Sequence, residues 1–176
     1  MANIDQRLLT SAATKAIVAL GSNLGDSIAT LREAMEQIER LAALPAQRSS
    51  LWQSSPVDCP PDSPQFINAA VAFESVAGET PESLLTKLQV LEKEFGRRPK
   101  QALNEPRPLD LDLIAFGTEI RSTPELVLPH PRAHLRRFVL KPLNEIAPDL
   151  VLGGQTKPIR QLLAELRTDE VVRRIS

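Results

Sequence analysis

The chain has 176 residues, enough for one substantial hydrophobic core but few for two full domains, and its 42% hydrophobic and 24% charged residues are ordinary for a globular protein. A net charge of −1 and a 3% aromatic content argue against a nucleic-acid partner, which needs a basic surface or stacking platforms. With short apolar stretches and one cysteine, Cys59, we expect a cytoplasmic protein without a membrane partner.

The beginning of the chain predicts an extension, a strand and a helix. Residues 1–15 are mixed and polar and predict a flexible extension ahead of a single domain over 16–176. Residues 16–20 predict a buried strand that runs into a Gly-Ser-Asn turn. Apolar residues at every third or fourth position then predict a helix capped by Asp26 or Ser27. This stripe consists of Ile28, Leu31, Met35, Ile38 and Leu41.

The middle of the chain predicts two strands and a second helix. Residues 49–53 and 66–75 have the composition of strands, and a proline-rich loop, 54–65, separates them. The second helix is predicted to be capped by Thr80 and to end at Gly96, because proline follows the cap and glycine commonly terminates helices.

The last part of the chain completes the predicted fold. A loop over 97–108 leads into a strand at 109–116, and 120–128 contains a short edge strand interrupted by proline. The remainder is broken by prolines, with a helix predicted at 158–166. The order strand, helix, strand, strand, helix, strand is typical of the ferredoxin-like α+β fold, an antiparallel sheet with helices packed on one face.

Two aspartates alternate with leucines in the segment 106–113, which reads PRPLDLDL. In a strand, Asp110 and Asp112 share one face and the leucines the other. Their spacing of roughly 6 to 7 Å along the strand suits a pair of divalent cations about 3.5 to 4 Å apart. Without a cation the two carboxylates repel each other. The pattern therefore indicates a metal site, and the alternative is a half-buried strand with a solvated outer face.

Two basic segments flank this strand in sequence. The segment 97–108 contains four cations and one acid, and the segment 130–141 contains four cations, both histidines and no acid. Magnesium held by carboxylates completes its shell with water and substrate phosphates, and arginine forks match phosphate oxygens. The combination predicts a site for a magnesium-bound polyphosphate nucleotide. The glycines of 21–25 lack the spacing and lysine of a P-loop and predict a tight turn instead.

Five motifs occur in a fixed order between residues 16 and 166. They are GSN at 21–23, FINAA at 66–70, Glu92 with GR at 96–97, RPLDLDL at 107–113, and PHPR at 129–132 followed by RRFVL at 136–140. In this order they resemble the motifs of the 6-hydroxymethyl-7,8-dihydropterin pyrophosphokinase family. The resemblance implies a ferredoxin-like fold, two Mg²⁺ ions, and transfer of pyrophosphate from ATP to 6-hydroxymethyl-7,8-dihydropterin with release of AMP, a step of folate biosynthesis.

The resemblance also implies roles for individual residues. The implied metal ligands are Asp110 and Asp112, which are catalytic together with Arg97 and Arg107. The implied nucleotide contacts are Arg98, Lys100, Arg107, Leu113, His130 and Arg136. The implied pterin contacts are Ser54, Pro56, Val57, Phe66, Asn68 and Phe138, and Glu92 is an acid that orients its neighbours near the metal. Aromatic faces and an amide also suit a flat heterocycle on chemical grounds alone.

The chain departs from the family pattern in two places. Asn104 and Glu105 stand where some members have Trp-Gly, and Pro99 aligns near a family arginine, so Arg98 or Lys100 would take its place. Pro131 replaces a tyrosine that often follows the family histidine.

Two other functions remain open on the residues alone. One is a glycosyl or nucleotidyl transferase that uses the Asp-x-Asp pair with a nucleotide sugar. The other is a ferredoxin-like module that senses nucleotide or RNA without chemistry, although the charge and aromatic content disfavour RNA.

Overall fold

The computed structural model describes residues 14–57, 59, 62–99 and 105–175 of the chain. Its first part runs in the order strand, helix, three strands, helix, strand. The strands are β1 (Lys15–Ser22), β2 (Gln47–Arg48), β3 (Trp52–Ser54), β4 (Phe66–Glu74), β5 (Asp110–Phe116), β6 (Arg121–Ser122), β7 (Val127–Leu128) and β8 (Val172–Arg174). The helices are α1 (Ser27–Glu39), α2 (Pro81–Glu94), α3 (Arg137–Ile146) and α4 (Ile159–Glu165), with a 3-10 turn at Ala133–Leu135 before α3.

The main sheet is antiparallel and has the order β5-β1-β4-β3-β8, with β2 also paired to β4. With β2 and β3 counted together as the second strand, the order strand, helix, strand, strand, helix, strand places the fourth strand, β5, beside the first and the third, β4, beside the second. This is the ferredoxin-like arrangement, so the predicted fold class is confirmed. Among the described residues, β5 forms one edge of the sheet.

Each face of the sheet carries its own hydrophobic core. On one face, α1 and α2 bury residues such as Leu31 and Leu88 against Val18 and Val71. On the other face, α3 and α4 bury a second cluster around Leu143, and alanines of β1 and β4 make room for it. Burial of each large aliphatic side chain contributes about 1.5–3 kcal/mol. The sequence predicted helices on one face of the sheet only. Helices α1 and α2 pack on one face in this way, but α3 and α4 cover the opposite face, so the prediction is wrong in this detail.

The caps of α1 and α2 follow their sequence signals. Asp26 Oδ1 accepts a hydrogen bond from the Ala29 N–H at 3.1 Å. Thr80 Oγ1 accepts one from the Ser83 N–H at 3.1 Å, and Ser83 Oγ accepts one from the Thr80 N–H at 3.0 Å. Both predicted helices are confirmed, but Ile28 is 39% exposed and does not join the buried stripe.

The predicted boundaries differ from the observed ones at β1 and near β3. Residues 1–13 of the predicted extension lie outside the described residues, and β1 already begins at Lys15. The predicted strand 49–53 is observed only at 52–53, which belong to β3, and 49–51 form a break between β2 and β3. At this break Ser49 Oγ accepts the hydrogen bond of the Ala70 N–H at 2.8 Å in place of a backbone carbonyl. A side chain thereby interrupts the ladder.

Three elements of the C-terminal third were not predicted as they occur. The segment 120–128 forms a separate hairpin of β6 and β7, not an edge strand of the main sheet. Helix α3 contains Pro142, which lacks an N–H donor and reads in a sequence as a break. Strand β8 adds three residues to the sheet edge at β3. No helix in the described ranges is long and apolar enough to cross a membrane.

Candidate active site

Asp110 and Asp112 share one face of β5, as the alternation predicts. Leu109, Leu111 and Leu113 are buried in the core under α1 and α2. Both aspartates line a cavity of about 250 Å³ on the other face, beside the start of α3. The two carboxylates are therefore neighbours at the edge strand of the sheet and are open to a ligand.

The Asp110 carboxylate lies between two arginines. Its Oδ1 accepts a hydrogen bond from Arg97 Nη1 at 2.5 Å, and its Oδ2 lies 3.1 Å from Arg107 Nε, although the angle there does not make a hydrogen bond. Arg97 also pairs with Glu92, and Glu92 Oε1 accepts the Leu111 N–H at 2.7 Å. Burial raises the pKa of Glu92 to about 7 despite that hydrogen bond and Arg97. Glu92 thus orients Arg97 and the edge of β5.

Asp112 faces the second basic segment. Burial raises the pKa of Asp112, Asp110 raises it further, and His130 and Arg136 lower it. Within the described residues, its side chain makes no hydrogen bond and joins no group of three or more metal-ligating side chains. A magnesium site does not need such a group, because one or two carboxylates with water and substrate phosphates suffice. A half-buried carboxylate next to a second one fits a divalent cation.

His130 and Arg136 both lie near Asp112, and Arg136 also lines the cavity. His130 Nδ1 accepts a hydrogen bond from the Arg132 N–H at 3.2 Å, so the neutral imidazole carries its proton on Nε2. Burial lowers the pKa of His130, which favours this neutral form. Burial and the nearby Arg132 also lower the pKa of Arg136. Cations in this arrangement favour an anion between them.

Arg107 is positioned by the turn after β1. The Arg107 N–H donates to Asn23 Oδ1 at 2.9 Å, and the Asn23 N–H donates to the Arg107 carbonyl at 3.2 Å. Gly25 closes the turn with a φ of 75°. The Gly-Ser-Asn segment therefore holds an arginine in place, and the predicted tight turn is observed.

The far side of the cavity has aromatic and amide groups. Phe66 and Asn68 lie on β4, and Asn68 Nδ2 donates to Ser54 Oγ at 2.9 Å. Gly21 of β1 pairs with Asn68 on one side and with Asp110 on the other. A Cβ built on Gly21 would lie 3.6 Å from Asn68 Oδ1 and 3.8 Å from Phe66 Cδ1. The absent side chain keeps the space between these groups open.

An arginine guanidinium group lies over each of the two phenylalanine rings of the cavity. Arg107 Cζ lies 5.7 Å from the centre of the Phe66 ring, and Arg136 Cζ lies 5.5 Å from the centre of the Phe138 ring. Guanidinium groups stack favourably on aromatic faces. The apolar end of the cavity is thus continuous with its cationic end.

Comparisons with known proteins show the family of this chain. Residues 17–148 match the family model described as 7,8-dihydro-6-hydroxymethylpterin-pyrophosphokinase. The chain belongs to this family. It is 41% identical over 157 residues to the 2-amino-4-hydroxy-6-hydroxymethyldihydropteridine pyrophosphokinase of Methylorubrum extorquens, covering 87% of this chain and 94% of that protein. With the enzyme of the same name from Haemophilus influenzae it shares 39% identity over 152 residues, or 86% and 89% of the two chains.

Solved structures add a likeness of fold. The crystal structure of wild-type Plasmodium falciparum HPPK-DHPS with pteroate matches with a TM-score of 0.70 and 13% identity, over 92% of this chain and 46% of that chain. This chain therefore spans less than half of that solved chain. The family predicted from the five motifs is confirmed, and the ferredoxin-like fold agrees with the structural match.

The structure does not bring all of the pterin pyrophosphokinase residues predicted from sequence into the cavity. Pro56 is absent from its lining, and Leu113 is 4% exposed in the core, which leaves only its backbone for a nucleotide. Arg97 and His130 are also absent from that lining: Arg97 reaches the cavity only through its ion pair with Asp110, and His130 lies near Asp112. Arg97 and Arg98 line a second cavity of about 480 Å³, and Arg107 contributes to both cavities. Lys100 lies outside the described residues. The other predicted site residues that line the cavity are Ser54, Val57, Phe66, Asn68, Arg107, Asp110, Asp112, Arg136 and Phe138.

Several lining residues were not predicted as site residues, among them Gly21, Cys59 and Glu170. Gly21 was predicted to lie in a turn but lies in β1, and a glycine inside a strand often marks close approach of a ligand or another backbone. Cys59 lines the cavity and donates through Sγ to the Val57 carbonyl at 3.2 Å. Glu170 lines it from the C-terminal part of the chain, and no local pattern in the sequence predicts this placement.

Proposed function

We propose that this chain transfers pyrophosphate from ATP to the hydroxymethyl group of 6-hydroxymethyl-7,8-dihydropterin. The supporting observation is a single cavity in which an aromatic and amide end adjoins paired carboxylates and arginines, in a member of the pyrophosphokinase family. In this reaction the hydroxyl oxygen attacks the β-phosphorus of ATP and loses its proton. The bond between the β-phosphorus and the oxygen that bridges it to the α-phosphorus breaks, and AMP leaves with that oxygen.

Asp110 and Asp112 are the residues that would hold Mg²⁺. When bound, Mg²⁺ supplies charge neutralisation at the ATP phosphates. For Asp110 this requires its carboxylate to exchange part of its present pairing with Arg97 and Arg107. Arginines released in this way remain beside the metal site, where their guanidinium groups match phosphate oxygens.

The remaining polar residues have separate tasks in the proposed reaction. Arg97, Arg107 and Arg136 offset negative charge on the phosphates as AMP leaves. His130 offers its Nε2–H as a neutral donor to a phosphate oxygen. Asn68 keeps Oδ1 on the cavity side as an acceptor for the pterin, because its Nδ2 is bound to Ser54. Phe66 and Phe138 supply the stacking faces.

The direct test is product analysis by mass spectrometry. Purified protein, ATP and Mg²⁺ are expected to give AMP and a pyrophosphorylated pterin in equal amounts, and only when the hydroxymethyl pterin is added. A chelator such as EDTA is expected to stop the reaction, and excess Mg²⁺ to restore it. AMP formation with a nucleotide-sugar acceptor, or nucleotide binding without any turnover, would favour the alternatives over this proposal.

Gly21→Val is expected to close the pterin end of the cavity. Its branched side chain would enter the space beside Asn68 and Phe66, while β-branched residues suit a strand. We expect the KM for the pterin to rise by at least about tenfold, or about 1.4 kcal/mol. The KM for ATP is expected to change less than about threefold. Gly154→Asn is the control: this glycine lies in an exposed turn outside the cavity lining, and asparagine tolerates its left-handed backbone with a φ of 72°. An equal rise in both KM values for Gly21→Val would contradict the assignment.

A further inference from the structure

Helix α3 begins with basic residues and has no cap of its own. Arg136 occupies the N-cap position without a capping hydrogen bond, Arg137 is the first helical residue, and the first turn contains no acid. The N-terminus of a helix presents unpaired N–H donors and a partial positive charge, which neighbouring cations destabilise. The start of α3 therefore needs an acceptor from elsewhere in the chain.

Glu170 supplies that acceptor. Its Oε2 accepts hydrogen bonds from the Arg137 N–H at 2.7 Å and from the Phe138 N–H at 3.2 Å. In return, the Arg137 guanidinium donates to the Glu170 carbonyl at 3.1 Å. Both the side chain and the backbone of Glu170 are thus bound to the first turn of α3, which carries Phe138.

The residues after Glu170 are bound to the opposite wall of the cavity. The Ser55 N–H donates to the Val171 carbonyl at 3.2 Å, and Val172 pairs with Ser54 in the β3–β8 ladder. Ser54 in turn holds Asn68 through the hydrogen bond from Nδ2. One short segment, 170–172, therefore connects the wall that carries Phe138 to the wall that carries Asn68.

We propose that Glu170 is a positioning residue for the pterin pocket, held in place by the C-terminal segment 167–175. The proposal rests on the proposed function, because it concerns the same cavity. The family model ends at residue 148, so the match does not extend to Glu170 or β8. Glu170 acts through Phe138 and Arg136: it fixes the stacking wall and balances the cations that the phosphate site places at a helix N-terminus.

Glu170→Ala removes the acceptor and is expected to loosen the first turn of α3. Affinity for the pterin is expected to fall by about tenfold, or about 1.4 kcal/mol. Affinity for ATP is expected to change less than about threefold, because Asp110, Asp112 and other arginines remain. Glu170→Gln keeps an oxygen acceptor at the same position and is expected to stay within about threefold of the wild type for both ligands.

The experiment combines two measurements on the full chain. Isothermal titration gives the affinity for 6-hydroxymethylpterin in the presence of Mg²⁺ and a non-hydrolysable ATP analogue. Amide hydrogen exchange gives the protection of residues 137–140. The matched control is Asp169→Ala, which removes the same charge from the neighbouring, exposed position.

Faster exchange at the start of α3 together with weaker pterin binding in Glu170→Ala, and near-wild-type values in Glu170→Gln and Asp169→Ala, is the expected result. Unchanged exchange in Glu170→Ala, an equal loss in Asp169→Ala, or an equal loss of ATP and pterin affinity would overturn the proposal. Absence of AMP from the wild-type reaction would reject the proposed function instead, and the binding and exchange values would still decide the role of Glu170.

Discussion

Asp112→Asn is expected to lower kcat by at least about a thousandfold, equivalent to about 4 kcal/mol of transition-state stabilisation. Asparagine keeps the size of the side chain but loses the charge that would hold Mg²⁺. The fold is expected to persist, because the Asp112 side chain forms no hydrogen bond with another described residue and the residue lies on the edge strand. Steady-state rates of AMP formation at saturating Mg²⁺ and both substrates measure this effect.

The same substitution is expected to stabilise the ligand-free protein. It removes a half-buried charge that burial disfavours and that Asp110 repels, so the free energy of unfolding in urea should rise. The stabilisation of the wild type by Mg²⁺ and ATP should be lost. Asp149→Asn, an exposed aspartate paired with Arg160, is the control and should change neither property. More than a tenth of the wild-type rate in Asp112→Asn would reject the role of this carboxylate.

Arg97→Ala is expected to lower both activity and stability. Removal of one preorganised donor to developing charge typically costs about 100- to 1000-fold in kcat. In the ligand-free protein the change also leaves Glu92 and Asp110 without their shared partner, and both side chains are largely buried. Because burial already raises the pKa of Glu92 to about 7, its carboxyl can take up a proton, which limits the loss of stability to about 1–3 kcal/mol.

Asp112→Asn is expected to raise the free energy of unfolding and Arg97→Ala to lower it. This difference in sign distinguishes a metal ligand from a phosphate-binding cation. Urea unfolding and kinetics with varied ATP should show a loss of both properties in Arg97→Ala and partial recovery in Arg97→Lys, which keeps the charge without the fork. Arg32→Ala on the exposed side of α1 is the control for loss of an arginine. Wild-type kcat in Arg97→Ala would exclude the proposed role, whatever its stability.

Features set by neighbours in the sequence were predictable. The caps at Asp26 and Thr80 depend on residues three positions away, and the shared face of Asp110 and Asp112 depends only on the alternation of a strand. The motifs added the family, because five segments in a fixed order carry far more information than any one of them. These predictions needed no knowledge of tertiary contacts.

Features set by distant contacts were not predictable. Helix α3 contains a proline and starts at arginines, and its acceptor, Glu170, lies 33 residues further along the chain. The break between β2 and β3 depends on a hydrogen bond from Ala70 to Ser49, which periodicity cannot indicate. In both cases a side chain from a distant segment accepts the hydrogen bond of a backbone N–H. Local secondary-structure propensity cannot predict such a contact.

The two hydrophobic cores lie on opposite faces of the sheet, and the proposed substrate cavity is on the face of the smaller one. Most of the large aliphatic packing lies beneath α1 and α2, whereas the polar and aromatic side chains that line the proposed substrate cavity lie on the opposite face or at the sheet edge. Thermal tolerance and chemistry can consequently be altered independently: redesigning the packed underside should make the enzyme more robust without disturbing its substrates.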